Sequence, residues 1–284
     1  MLLAPASGDL AELPQQYCDS SGRDEVKPSA YHRWKLPVDC VLAALLLIPA
    51  LPIIAALVLL VRLTSRGSGI YRQLRVGQGG RVFWLYKIRT MVHHAEAGSG
   101  PVWTKKCDPR ITRVGSILRK LHLDEFPQLF NVLRGEMALV GPRPERPEFV
   151  SILSAQIQGY IARLVVRPGI TGLAQINLPP DSDSESVRRK LILDIEYIAE
   201  AGPLLDLRLM LCTAARLFGL PGELSMQSFH LKRSIRLDNF RPSFAADRAE
   251  LPPWEESLSG LRPRRSVQST ELDGKTANLI RRPK

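Results

Sequence analysis

Val41 to Val61 runs for 21 residues without a charged side chain, closed by Asp39 on one side and Arg62 on the other. At ~1.5 Å per residue, a helix of that length just reaches across a hydrocarbon core of ~30 Å. Two features argue against a simple crossing. Pro49 and Pro52 stand in the middle of the run, where each removes a helix hydrogen bond and crowds the preceding turn, so a break or kink is expected there. Basic residues also flank both ends, with Lys27, Arg33 and Lys35 before the run and Arg62, Arg66, Arg72 and Arg75 after it. Basic flanks stay on the cytosolic side. A re-entrant hairpin that enters one leaflet and returns accommodates prolines and charges together, and a single tilted crossing with a proline kink is the alternative. A signal peptide does not fit, because no small-x-small cleavage site follows the run.

The rest of the chain is basic. Its 284 residues carry 39 Lys+Arg against 28 Asp+Glu, a net charge of +11, which calls for an anionic partner: nucleic acid, acidic lipid or a phosphorylated substrate. The cysteines at 18, 40, 107 and 212 neither cluster nor form a C-x-x-C pair. Zinc and a disulfide framework therefore read poorly, and reduced thiols in a cytosol-facing protein are expected. Neither a G-x-G-x-x-G nor a G-x-x-x-x-G-K-[ST] string occurs, which removes the warrant for Rossmann and P-loop readings.

Pattern divides the chain into a polar, disordered tail over 1–34, a re-entrant membrane helix over 35–64, a folded domain over 65–225 and a basic, largely disordered tail over 226–284. The tail's Arg262-Pro263-Arg264-Arg265 suits acidic lipid. Ile70–Val76 and Val82–Tyr86 around Gln78-Gly79-Gly80 predict a short β-hairpin. Helical spacing follows in three stretches: Ile117, Leu118 and Leu121; Leu129 to Leu133; and one face from Phe149 through Leu164. A further face runs from Val187 to Ile198. Pro203 opens the apolar stretch Leu204–Leu211, which reads either as a buried core helix or as one lying in the membrane interface, and which could serve a homodimer. The expected class is α+β and mostly helical: a re-entrant membrane hairpin, a small cytosolic domain with a β-hairpin, and interfacial amphipathic helices.

Chemistry concentrates between Asp108 and Glu148, where Arg110, Arg113, Arg119, Lys120, Arg134, Arg143 and Arg146 surround Asp124-Glu125 and Gly141-Pro142-Arg143-Pro144. A solvated charged face is the plain reading of such density. Pro142 and Pro144, however, fix an extended turn that aims the Arg143 guanidinium, as a phosphate site needs. Pro127 marks the first turn of a helix, so Asp124 and Glu125 fall at a helix N-terminus, where the dipole lowers a carboxylate's pKa and attracts phosphate oxygens. An Asp cap with a first-turn Glu is the structural alternative. Carboxylates beside arginines can also hold Mg²⁺ or attack phosphorus.

Six ordered strings go further: Lys87-Ile-Arg89-Thr-Met91, Asp108-Pro-Arg-Ile-Thr-Arg-Val-Gly115, Leu123-Asp124-Glu125-Phe-Pro-Gln-Leu129, Asn131-Val-Leu-Arg-Gly-Glu-Met137, Leu139-Val-Gly-Pro-Arg-Pro144 and Arg167-Pro-Gly-Ile-Thr-Gly172. Together they resemble the bacterial sugar transferases known as monotopic phosphoglycosyl transferases, or polyprenyl-phosphate sugar phosphotransferases, over about Lys35 to Leu220. The resemblance implies a re-entrant membrane helix, a cytosolic catalytic domain at the bacterial inner membrane, and a two-step phosphoryl transfer that starts an exopolysaccharide, capsule or O-antigen. By that resemblance Asp124 attacks the sugar-bearing phosphorus of a UDP-sugar, UMP leaves, and polyprenyl (undecaprenyl) phosphate collects the phosphosugar. Glu125 is the expected partner that handles a proton or orients the metal, Mg²⁺ neutralises the diphosphate, and both carboxylates are candidate metal ligands. Lys87, Arg143 and Arg167 match positions that bind substrate phosphate, Pro142 and Pro144 are expected at the substrate site beside Arg143, and Asp194, also a candidate for substrate binding, matches a recurring acidic position. For Arg89 and Arg119, substrate contact and a structural salt bridge stand side by side, while Arg113 and Arg134 read as structural.

Two departures stand out. Leu51-Pro52 with Pro49 replaces the Ser-Pro common at the membrane break, and Asn177 is followed by Leu178-Pro179-Pro180 instead of Gly-Arg. Arg188 or Arg189 is the candidate substitute for the missing arginine. From a different class, a basic membrane-anchored binding module or catalytically silent scaffold would explain the charge and the tail. It would not explain the acidic dyad or the Pro-Arg-Pro turn, and nucleic acid is not an expected partner.

Overall fold

The computed structural model describes residues 26–93, 95, 108–181 and 183–235. The domain boundaries expected at 34 and 225 fall inside this range, and most of both expected tails, the Arg262–Arg265 stretch included, lies outside the described residues. Helix α1, His32–Thr64, carries the uncharged run. One stripe of it is buried, namely Lys35, Asp39, Ala43, Leu47, Ala50, Ile54 and Val61, at the three- and four-residue steps of a helix face. Val41, Leu45, Ile48, Leu59 and Leu63 are exposed on the remainder. An apolar face of that extent needs an apolar environment.

The helix is long and apolar enough to cross a membrane. Of the break or kink expected at Pro49 and Pro52, the break is absent: helical backbone continues through Pro37, Pro49 and Pro52. Proline removes a single i→i−4 bond and can be carried as a local bend, so two prolines do not by themselves create a loop. Both ends of α1 return to one domain. Near the start, Lys35 pairs with Asp39 and Asp206, and the Leu139 amide donates to Asp39 Oδ2 at 3.3 Å. At the far end, Arg89 Nη2 donates to the Ser65 carbonyl at 2.9 Å and to its Oγ at 2.7 Å, while Nη1 reaches the Arg66 carbonyl.

The expected hairpin is present as β1, Ile70–Val76, and β2, Val82–Ile88, antiparallel with Ile70 opposite Ile88 and Val76 opposite Val82. Helix α2, Arg113–Lys120, starts at Thr112, whose hydroxyl accepts from the Gly115 amide. A 3₁₀ turn over Leu123–Gln128 then runs into α3, Leu129–Leu133. The parallel pair β3, Ala138–Val140, and β4, Gly169–Thr171, was not predicted. Three-residue strands have too little alternation to be legible.

Between β3 and β4 come α4, Pro147–Gln156, and a second 3₁₀ turn, Tyr160–Val165. The continuous face expected from Phe149 to Leu164 is broken because Gly159 takes a left-handed φ of 76°. Helices α5, Leu173–Asn177, α6, Ser184–Glu200, α7, Pro203–Leu217, and α8, Gly222–Ser228, complete the fold. Of the two readings of Leu204–Leu211, the buried core helix holds for one face of α7. Asp206 and Leu209 are buried, whereas Leu204, Leu207 and Leu211 are exposed.

The main core joins the α1 stripe to Leu85, Ile88, Leu129, Val132, Leu139, Leu173 and Leu209. A smaller one gathers Val76, Val150, Leu153, Ile157, Tyr160, Val187 and Leu191 behind the Pro142–Pro144 turn.

Candidate active site

The dyad sits where the sequence places it, in the first turn of a short helix: Asp124 and Glu125 open the 3₁₀ turn behind His122, a residue with a left-handed φ of 52°. Strand β2 lies against this turn and delivers Lys87 near its end. Arg143 comes from the loop after β3, where two chain segments meet backbone to backbone. The Gly141 amide donates to the Thr171 carbonyl and the Gly169 amide to the Pro142 carbonyl, both at 2.9 Å. A Cβ at Gly169 would overlap the Gly141 nitrogen, so the glycines of the Gly141-Pro-Arg-Pro and Pro-Gly169-Ile-Thr-Gly172 strings are there to let the strands close.

The result is a three-residue cluster. Glu125 Oε1 accepts from Lys87 Nζ at 3.0 Å and from Arg143 Nη2 at 2.8 Å. Burial alone would push the Glu125 pKa up, but the two cations outweigh it and hold the carboxyl well below the usual range. Arg143 is raised in turn, chiefly by the Glu125 charge. Lys87 is lowered, first of all by burial.

Asp124 differs. It is 7% exposed and accepts no hydrogen bond among the described residues. Its pKa is raised, first by burial and also by the Glu125 charge, against the pull of Lys87, Arg119 and Arg143. The helix-terminus effect expected to lower it is outweighed by desolvation, as a turn this short carries little dipole. Arg119 contributes its charge here while its Nε donates to Thr90 Oγ1 at 2.8 Å. The candidate metal ligands are these two carboxylates, and the described residues contain no group of three His, Cys, Asp or Glu suited to a metal.

Other candidates lie apart. Arg89 is buried and spends its guanidinium on Ser65 and Arg66, tying down the end of α1. Arg167 Nε donates to the Gly135 carbonyl at 3.0 Å, and the residue lines a separate cleft with His32, Lys35, Leu36 and Asp39. Asp194 is buried with Arg163 as its ion-pair partner at 2.7 Å. Pro142 and Pro144 line a small cleft together with Arg143, Glu145 and Arg163. Arg189 pairs with Glu185 on the exposed side of α6 and Arg188 is exposed, so neither bonds to the dyad cluster.

Arg163, Glu145 and Arg75 escaped the sequence reading. Arg163 carried a usable signal: a lone charge in the apolar string Ile161-Ala-Arg-Leu-Val-Val166 must be paired if the string is buried.

Residues 30–219 match the family described as bacterial sugar transferase. The chain is 41% identical over 174 residues to the UDP-N-acetylgalactosamine-undecaprenyl-phosphate N-acetylgalactosaminephosphotransferase of Aeromonas hydrophila, covering 61% of this chain and 41% of that one. It is 38% identical over 183 residues to the UDP-glucose:undecaprenyl-phosphate glucose-1-phosphate transferase of Xanthomonas campestris pv. campestris, covering 64% and 38%. A protein of the same name from Caulobacter vibrioides is 42% identical over 185 residues, with coverage of 64% and 69%. The chain thus spans about two fifths of the length of the first two relatives. With about two thirds of its residues inside the family match, this chain belongs to the bacterial sugar transferase family.

Proposed function

We propose that this protein transfers a sugar-1-phosphate from a UDP-sugar to undecaprenyl phosphate through a covalent intermediate on Asp124, as the first step of an extracellular polysaccharide. The names of the relatives support the donor and acceptor classes. The observation that carries the residue assignment is the asymmetry of the dyad: Glu125 is tied to Lys87 and Arg143, while Asp124 is left with no hydrogen-bond partner among the described residues. A nucleophile needs lone pairs that are not already committed.

In the first step an Asp124 carboxylate oxygen forms a bond to the sugar-bearing phosphorus, and the bond from that phosphorus to the bridging oxygen breaks, releasing UMP. In the second, a phosphate oxygen of the lipid attacks the same phosphorus and expels the Asp124 carboxylate. Lys87 and Arg143 stand ready for the negative charge of the diphosphate, and Arg119 adds its charge beside Asp124. Glu125 stays ionised between its cations, which makes it a weak proton acceptor, and serves as the group that orients them and the metal.

Two adjacent carboxylates suit Mg²⁺, which keeps most of its waters and is held by one or two carboxylates plus substrate phosphate. Asp124 and Glu125 would hold it, and its contribution is to neutralise diphosphate charge.

The membrane reading rests on α1. Both of its ends bond to the same domain and its outer face is apolar, which supports a monotopic, re-entrant attachment with the catalytic domain on the cytoplasmic face of the inner membrane. Water-soluble donor and membrane-held acceptor then reach one carboxylate in turn. The test is UMP release by the detergent-solubilised protein with Mg²⁺, undecaprenyl phosphate and a panel of UDP-sugars. Release from one donor names the sugar, and silence across the panel from folded protein contradicts the assignment.

A further inference from the structure

The turn that presents Arg143 is short of ordinary anchors, because Pro142 and Pro144 have no N–H to donate. Its three carbonyls are instead each held from outside: Pro142 by the Gly169 amide at 2.9 Å, Pro144 by Arg75 Nη1 at 2.9 Å, and Arg143 by Arg163 Nη2 at 2.9 Å. Arg163 is enclosed, at 4% exposed. Its Nη1 donates to the Tyr160 hydroxyl at 2.7 Å, and its Nη2 lies 2.7 Å from Asp194 Oδ2 on α6. The prolines fix the local shape of the turn around Arg143, and that local shape does not set where the turn sits against the rest of the domain. That placement is what Arg163 holds, through the Arg143 carbonyl.

We propose that Arg163, held in place by Asp194, is a positioning residue that anchors the Arg143 carbonyl, and with it the whole rigid turn, where the Arg143 guanidinium meets Glu125. Asp194 then acts at the site through Arg163, two contacts removed from the dyad. Arginine is required because its planar fork donates to the hydroxyl and the carbonyl while its charge pairs with the carboxylate, which a lysine's single ammonium cannot do in the same geometry. The proposal rests on the transferase reading for its kinetic consequences and on the Arg143–Glu125 contact alone for its thermodynamic ones.

Removing one partner would strand a buried charge, so the principal variant is Arg163→Gln with Asp194→Asn, alongside Arg163→Lys, each in the full-length detergent-solubilised protein. Turnover is measured with the UDP-sugar on which the wild type is most active. The expected result is a cooperative melt, kcat/KM per folded molecule lowered by ~10- to 100-fold, and no rescue by lysine. A loss that tracks only the folded fraction, or full rescue by lysine, would overturn the proposal. A second measurement needs no turnover: the melting-temperature cost of Glu125→Gln at pH 7 should be smaller in the double-variant background than in the wild type. An equal cost in both backgrounds overturns the proposal even if the protein transfers no sugar. Wild-type silence on every donor, with a reduced cost, would count against the transferase reading alone.

Discussion

Arg143 Nη2 donates to Glu125 Oε1 at 2.8 Å, and that contact separates two neighbouring carboxylates into different roles. Glu125, which also accepts from Lys87, is an anion whose lone pairs are in use. Asp124 is enclosed without a partner among the described residues. A pair pushed apart in this way can carry two functions in one reaction.

Asp124→Asn should lower UMP release by at least ~10³-fold while leaving the protein folded. Because burial raises the Asp124 pKa, its charged form is disfavoured in the fold and the neutral amide should melt at the same or a higher temperature. Thermal melts and UMP assays on the same preparation check both halves.

Glu125 makes the opposite prediction for stability. Its folded pKa is depressed below the unfolded value of about 4.3, so its contribution is fully present above that pH and is lost as pH falls through the folded pKa. Glu125→Gln should therefore cost about 2–3 kcal/mol at pH 7. The gap to wild type should hold down to about pH 5 and narrow below about pH 4. Denaturant unfolding across that range measures it.

Arg89→Ala should act on stability more than on chemistry. It removes the bonds that hold Ser65 and Arg66 at the end of α1, at about 1 kcal/mol each, and turnover per folded molecule should remain within a few-fold of wild type. A collapse of turnover at full folding would return Arg89 to the substrate.

Lys35→Met should be among the most damaging changes. It strands Asp39 and Asp206, both buried, and breaking such a pair costs about 3–5 kcal/mol. The companion Asp206→Asn should recover part of that loss, readable as a rise in melting temperature over the single variant.

Much of this was legible in the sequence because its signals are local. The β1–β2 hairpin follows alternation around Gln78-Gly79-Gly80, and the position of Asp124-Glu125 follows Pro127. What was not legible depends on partners distant in the chain. Nothing near Asp194 says that Arg163 waits for it, and nothing near Arg89 says that its guanidinium closes on Ser65. The prolines of α1 make no break for a different reason: a lost hydrogen bond is a local cost that a helix packed at both ends can carry. Desolvation of Asp124 was likewise hidden, since burial is a property of the whole fold.

The re-entrant reading of α1 predicts where its ends lie. In protein freed of its native cysteines, Arg33→Cys and Ser68→Cys, both at exposed positions, should react with an impermeant maleimide from the same side of sealed vesicles. Labelling from opposite sides would make α1 a spanning helix.

The central claim is that Asp124 becomes covalently loaded, and the most direct measurement is the mass of the protein after incubation with the active UDP-sugar and Mg²⁺ and no lipid acceptor. The account predicts a gain of one phosphosugar, confined to the peptide that contains Asp124 and discharged when undecaprenyl phosphate is added. Unmodified protein that nonetheless releases UMP once the acceptor is present would mean direct transfer between the two substrates, and would contradict it.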